Sequence, residues 1–346
     1  MIKKALITGV AGQDGRHLAK LLDKKGYQVF GTLRGQLEAS HPRYQGVQRD
    51  MPFLKIMIAD SLDLSALTRA VKEIKPDEVY NLAAISHVGY SFHNPLLTAD
   101  VTAKGVLNIL EAIRLAGLQD KTRFYQASTS EMFGGLEYNR PDQGYDESAA
   151  FHPRSPYGVA KLYGYWITRN YRESYGMYAT NGILFNHEGE NRGPEFVTRK
   201  ISLAVARIKA GDQEYLELGN LDAKRDWGYA GDYVEGMWRI LQQDQPEDYV
   251  LATGETHSVR DFCNLAFQVI GLTITWKGEG EDEVGLDQDG IMRIKINSEY
   301  YRPAEVDLLL GDPSKAEQKL GWSRHTSFGD LVKLMVDKDL ERLSAS

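Results

Sequence analysis

Through its first 185 residues the chain alternates short β-branched runs with amphipathic helical segments, and this alternation restricts the fold more than any other feature. Strands are predicted at Lys4–Thr8, Gln28–Thr32, Leu54–Ile58, Glu78–Asn81, Arg123–Ala127 and Tyr178–Leu184. Between them His17–Lys25, Leu64–Ile74, Asp100–Ala116 and Pro156–Tyr175 repeat apolar positions at three and four residues, as a helix covering a sheet face requires. Such alternation implies an α/β fold: a doubly wound parallel sheet with helices on both faces, joined by right-handed crossovers. After about Phe185 the rhythm fails. Helical segments at Glu195–Lys209, Asp232–Gln242, Ser258–Ile270, Pro313–Leu320 and Phe328–Leu343 are separated by short strands and loops, and Gly278–Gly290 reads as a mobile surface loop. Residues 1–185 are therefore expected to form the sheet domain, with 225–255 packing back on it. Residues 186–346 are expected to be mainly a smaller mixed α/β lobe over the sheet's carboxyl edge, where open α/β sheets bind ligands.

Composition sets outer limits. A net charge of -7 over 346 residues argues against a general nucleic-acid surface, so an anionic ligand would need a local basic pocket. No run approaches the roughly 20 apolar residues that cross a bilayer, and Met1–Gly9 is too short in apolar residues for a signal peptide. Cys263 is the only cysteine, which excludes an internal disulfide and fits a reducing cytoplasm; its helix-like surroundings suggest a buried, inert thiol. No metal site is predicted.

Gly9-Val10-Ala11-Gly12-Gln13-Asp14-Gly15 follows the first strand and opens the first helix. Glycines at 9, 12 and 15 permit a tight turn, close backbone approach to a pyrophosphate and close helix–strand packing, the arrangement of a Rossmann-type dinucleotide site. An NAD enzyme usually carries an acid at the end of the second strand. Here the tip reads Gly31-Thr32-Leu33-Arg34-Gly35, with no carboxylate before Glu38. A guanidinium there can grip a 2′-phosphate, which favours NADP over NAD; a solvated surface arginine is the competing account. Asp60, after the third strand, is placed on the adenine side with Ser61 beside it, and Asn81-Leu82-Ala83-Ala84 beneath the ribose and nicotinamide.

Tyr157-Gly158-Val159-Ala160-Lys161 sits near the start of a long predicted helix. A spacing of four puts both side chains on one face, so the ammonium is expected to lower the phenol's pKa and let it take a hydroxyl proton as hydride leaves carbon. Upstream, Ala127-Ser128-Thr129-Ser130-Glu131 falls at the carboxyl end of the fifth strand. Thr129 would orient the hydroxyl being oxidised. A simple ketone–alcohol reaction does not need Glu131, whereas elimination does: one carboxyl group can take a proton from one carbon and deliver it to a hydroxyl leaving the next.

Together these residues resemble the extended short-chain dehydrogenase/reductases and, within them, the GDP-mannose 4,6-dehydratase family. Besides Ile7 to Gly15, Ala127 to Glu131 and Pro153 to Lys161, the likeness is carried by Gly182 to Glu188, Phe196 to Lys200, Arg225 to Gly228 and Tyr301 to Val306. The resemblance implies Thr129, Glu131, Tyr157 and Lys161 as active site. It implies NADP contacts from Gly9, Gly12, Gln13, Asp14, Gly15, Arg34, Asp60, Ser61, Leu82, Ala84, Ser86, Tyr157, Lys161, His187 and Arg192. It implies GDP-sugar contacts from Ser86, Asn186, Val197, Lys200, Leu218, Gly219, Arg225, Arg302 and Glu305, three of them arginine or lysine residues able to supply the basic pocket, and a homodimer or homotetramer. The chain departs from the family pattern at Gly35, where a second arginine is common, and at Leu97, where relatives often have a tyrosine at the cofactor. The implied reaction turns GDP-D-mannose into GDP-4-keto-6-deoxy-D-mannose by C4 oxidation, loss of water across C5 and C6, and hydride return to C6. A GDP-manno-heptose dehydratase, a GDP-sugar 4-reductase or epimerase, and a non-catalytic NADP-binding protein remain as alternatives.

Overall fold

A computed structural model describes residues 2–35, 42–135, 144–300 and 308–345. Its largest sheet has seven strands, all parallel. Six come from the first half: β1 (Lys4–Thr8), β2 (Gln28–Leu33), β3 (Lys55–Ile58), β4 (Glu78–Asn81), β5 (Arg123–Thr129) and β6 (Ala179–Leu184). The seventh, Tyr249–Leu251, pairs with β6, giving the order Tyr249–Leu251, β6, β5, β4, β1, β2, β3. The chain therefore runs outward from β1 in one direction, returns, and continues from β4 in the other. The crevice between the carboxyl ends of β1 and β4 is the switch point.

Both sheet faces are buried, which is why the strands read as nearly continuous apolar runs. Along β1, Ala5 and Ile7 join Leu18, Leu22, Val234 and Met237 in one core. Leu6 points the other way, into a core with Leu67, Val71, Ile109 and Phe124. A further core unites Ile201, Val205, Phe262, Phe267, Val332 and Met335 from the helices Val197–Ala210, Val259–Val269 and Phe328–Ser344. Cys263 lies within it, fully buried, and burial pushes its thiol up. Among the described residues no helix is long and apolar enough to cross a membrane.

The helix Pro156–Tyr175 has both its ends written locally. Ser155 accepts a hydrogen bond from the Gly158 N–H, Pro156 fills the first helical position, and Gly176 closes it with a φ of 64°. Three expectations are corrected. The first helix begins at Gln13, not His17, so Gly12 is its N-cap and the glycine motif runs into its first turn. The segment read as one helix over Asp100–Ala116 starts as a π-helical stretch, Asp100–Lys104, before Gly105–Leu115. Gly278–Gly290 is not simply a loop. Val284–Leu286 pairs antiparallel with Thr275–Lys277 and with Met292–Ile296. Gly285 lets that strand approach Ile294, and Asp287 closes the turn by accepting from Arg293 at 2.8 Å.

Arg172, on the Pro156–Tyr175 helix, makes a two-pronged bond to Asp248 at 3.0 and 2.9 Å, and the same carboxylate accepts from the Asn181 N–H at 2.9 Å. This ties the helix to β6 and to the edge strand. Replacing Asp248 with alanine takes the carboxylate from Arg172, which keeps only carbonyl acceptors such as Ala179, and strands the Asn181 N–H, so a loss of about 3 kcal/mol is expected in urea unfolding. A loss below about 1 kcal/mol would show that the pair does not hold the edge.

Candidate active site

A cleft of about 850 Å³ opens over the carboxyl ends of the strands, lined by the glycine loop on one side and by residues after 185 on the other. Its size lies in the upper range of small-molecule sites. Polar side chains run across the strand ends beneath it. Thr8 Oγ1 donates to Asn81 Oδ1 at 2.6 Å, Asn81 Nδ2 to Gln126 Oε1 at 2.7 Å, and Gln126 Nε2 to the Ala127 carbonyl at 2.8 Å. That carbonyl also accepts from Lys161 Nζ at 2.7 Å.

Lys161 and Tyr157 share the cleft face of their helix, with Nζ 5.8 Å from the phenol ring centre. Burial pushes the Lys161 ammonium down from 10.5 to about 8, against the pull of the Asp14 carboxylate. Burial likewise pushes the Tyr157 phenol above its ordinary value. The Thr129 hydroxyl, hydrogen-bonded to it, works the other way, Glu131 adds to the rise, and Arg192 opposes it. In the protein chain by itself the Lys161 ammonium is aimed at Ala127, and burial outweighs the lowering expected from it. Glu131 occupies a short turn, Ser130–Met132, in which its own N–H donates to Thr129 Oγ1 at 3.3 Å. Gly158 makes the juxtaposition possible, since a Cβ there would stand 2.9 Å from the Glu131 carbonyl. It has no signal in the sequence beyond its place after Tyr157.

Of the remaining expected residues, Gly9, Gly12, Gln13, Asp14, Gly15, Arg34, Ser61, Leu82, Ala84, Ser86, His187 and Arg192 line the cleft. So do Asn186, Val197, Lys200, Leu218, Gly219 and Arg225. Asp60 does not line it; its carboxylate accepts from the Leu62 N–H at 2.9 Å and shapes the turn after β3. Arg302 and Glu305 lie outside the described residues. The residues fit a dinucleotide in one specific respect: a Cβ on Gly15 would sit 2.6 Å from the Gly9 carbonyl, so the loop folds against the helix only with glycine there. Sequence reasoning missed Tyr300, which lines the cleft with its ring centre 3.3 Å from Lys200 Nζ. It also missed Glu188, a buried carboxylate bound by Arg192 at 2.9 Å and Thr198 at 2.6 Å. Neither belongs to a helical spacing pattern.

A doubly wound parallel sheet with a glycine loop at its switch point and a buried Tyr/Lys pair across the cleft defines a Rossmann-type protein of the short-chain dehydrogenase/reductase kind. Solved structures agree on the fold. A Pseudomonas aeruginosa RMD complexed with NADPH superposes with a TM-score of 0.77 at 22% identity, covering 98% of this chain and 99% of that one. A Streptomyces venezuelae dTDP-glucose 4,6-dehydratase with NAD bound gives 0.79 at 23%, covering 99% and 98%. Residues 6–335 match the family model for GDP-mannose 4,6 dehydratase. Sequence relatives include GDP-mannose 4,6-dehydratases of Vibrio cholerae, 51% identical over 99% of this chain and 95% of that protein, and of Homo sapiens, 49% over 97% and 91%. The chain belongs to the GDP-mannose 4,6-dehydratase family.

The buried lysine leads to a stability prediction. Its folded pKa lies below the unfolded one, so folding is penalised while the ammonium is charged in both states, and the penalty fades as pH rises from about 8 to about 10.5. Lys161→Met is expected to unfold about 2 kcal/mol less readily than wild type at pH 7, with the gain shrinking through that window. Chemical denaturation at pH 7 and at pH 10 checks both statements, and a variant less stable at pH 7 would refute them.

Proposed function

We propose that this chain dehydrates GDP-D-mannose to GDP-4-keto-6-deoxy-D-mannose using NADP, with Thr129, Glu131, Tyr157 and Lys161 as its catalytic residues. The observation that carries the reading is the meeting of Tyr157, the Thr129 hydroxyl and Glu131 at the end of β5, in the cleft that the glycine loop lines. Relatives of about 50% identity named for this activity support it. Arg34, exposed at the end of β2 and lining the cleft, supports NADP over NAD. When bound, NADP supplies the hydride acceptor for C4, the donor for C6 and a positive ring that favours the Tyr157 phenolate.

Tyr157 takes the proton of the sugar's 4-hydroxyl, and Thr129 orients that hydroxyl. Lys161, fixed by Ala127, keeps two donors for ribose and phenol. The C4 ketone acidifies C5–H, and Glu131 removes that proton and passes it to the 6-hydroxyl as water leaves. Lys200 and Arg225 reach the cleft from residues after 185 and would hold the GDP diphosphate. This assigns residues 1–185 mainly to the cofactor and the later residues mainly to the sugar nucleotide. The lone buried thiol suits a cytoplasmic setting.

A homo-oligomer belongs to the same reading. Leu96, Leu97, Val159, Tyr163 and Trp166 are all exposed on neighbouring helices, Leu96 at 82% and Trp166 at 52%. Such an apolar surface on the outside of the Tyr157 helix suits a second copy of the chain. Leu97 stands on this surface and does not line the cleft. Trp166→Glu is expected to halve the mass seen by sedimentation equilibrium; an unchanged mass removes this face as the contact.

Incubation with GDP-mannose and, separately, with GDP-manno-heptose tests the chemistry and the sugar by the mass loss of one water. In Glu131→Gln, that loss should slow by about 10²-fold or more while C4 oxidation persists. Loss of water at the wild-type rate would end the role given to Glu131.

A further inference from the structure

A carboxylate stands where the phosphates of a dinucleotide are expected. Asp14 lies in the first turn of the helix that Gly12 caps, among the unpaired N–H groups and partial positive charge that attract a diphosphate. An ionised Asp14 occupies the same field and repels the ligand unless its charge is cancelled.

His187 is placed to cancel it. Its Nδ1 is 2.7 Å from the Phe185 carbonyl and its Nε2 is 2.9 Å from Asp14 Oδ2. A carbonyl oxygen only accepts, and so does an ionised carboxylate, so both ring nitrogens carry hydrogen and the ring is an imidazolium. Burial disfavours both charges, yet the pairing holds the imidazolium above its ordinary pKa and Asp14 well below the carboxylate range. Gln13 Nε2 fixes the geometry by donating to Asp14 Oδ1 and to the His187 carbonyl, each at 3.0 Å. The Tyr233 ring stacks on the imidazole at 4.7 Å. The other cations near Asp14 act on it only through space: Arg192 has its Nε 2.9 Å from Glu188, Lys161 donates to the Ala127 carbonyl, and burial pushes His17 towards its neutral form. The side chains of Asp14 and His187 are therefore turned to each other.

We propose that His187 is a positioning residue whose imidazolium neutralises Asp14, so that the glycine loop can accept the cofactor's diphosphate. This rests on the dinucleotide reading and changes what His187 does within it: the side chain serves as a counter-charge to Asp14. The step is electrostatic and involves no bond change.

Calorimetric titration of the nucleotide-free protein with NADP and with NAD tests it, using His187→Gln, Asp14→Asn and the double variant, with melting temperatures taken without nucleotide. His187→Gln removes the one cation hydrogen-bonded to Asp14 and should weaken NADP binding by about tenfold or more. The double variant should bind about tenfold more tightly than His187→Gln and within about threefold of Asp14→Asn, because the histidine has nothing to cancel once the charge is gone. Rescue of this kind is not what a merely structural histidine would show. A double variant as weak as His187→Gln, or one that binds about tenfold more weakly than Asp14→Asn, overturns the proposal; the second comparison holds even if His187→Gln fails to fold. Wild-type protein that binds neither nucleotide overturns the dinucleotide reading itself, whereas intact binding in His187→Gln overturns only the counter-charge.

Discussion

One hydrogen bond, from the Lys161 ammonium to the Ala127 carbonyl, sets the helix that carries Tyr157 and Lys161 against the sheet that carries the glycine loop. Its geometry is inherited from the strands. Parallel pairing sets Thr8 opposite Asn81 and Asn81 opposite Gln126, and side-chain bonds run along that row to the carbonyl Lys161 uses. A one-residue slip in any strand would turn these groups to the other face and remove the acceptor. The fold is, in this sense, a register gauge for a single ammonium group.

That arrangement is held against solvation. Lys161 is a buried cation and Tyr157 a buried phenol, and burial moves both away from the charged forms that proton transfer requires. The same dry environment strengthens whatever charge arrives with the ligands. Stability is spent where reactivity is needed, a common condition of enzyme sites.

Much of this was legible in the sequence, because the signals were periodic or local. β1, β4 and the helices Leu64–Ile74 and Pro156–Tyr175 appear at the expected limits, each bounded by a change of period or by a cap such as Ser155. The Tyr157 and Lys161 pair followed from a spacing of four on a helix. What escaped depends on distance in three dimensions. Val284–Leu286 is a strand only because Thr275–Lys277 and Met292–Ile296 flank it, and its central Gly285 and the acidic residues on either side argue for a loop. Tyr300 gains meaning from Lys200, a hundred positions away, and Glu188 from Arg192, whose spacing of four predicts contact only on a helix, whereas Glu188 ends a strand. The burial of the phenol was not legible either, because spacing reports proximity and says nothing of desolvation.

The edge strand Tyr249–Leu251 bears on biosynthesis. All six residues of β6 are buried, and one flank of that strand is covered only when residues 249–251 arrive, more than sixty positions later. A nascent or truncated chain ending before them presents an apolar strand with unpaired backbone groups, the template on which β-rich aggregates grow. The first 185 residues hold the cofactor motif but cannot finish their own sheet, so the order of synthesis leaves an interval in which this protein needs protection.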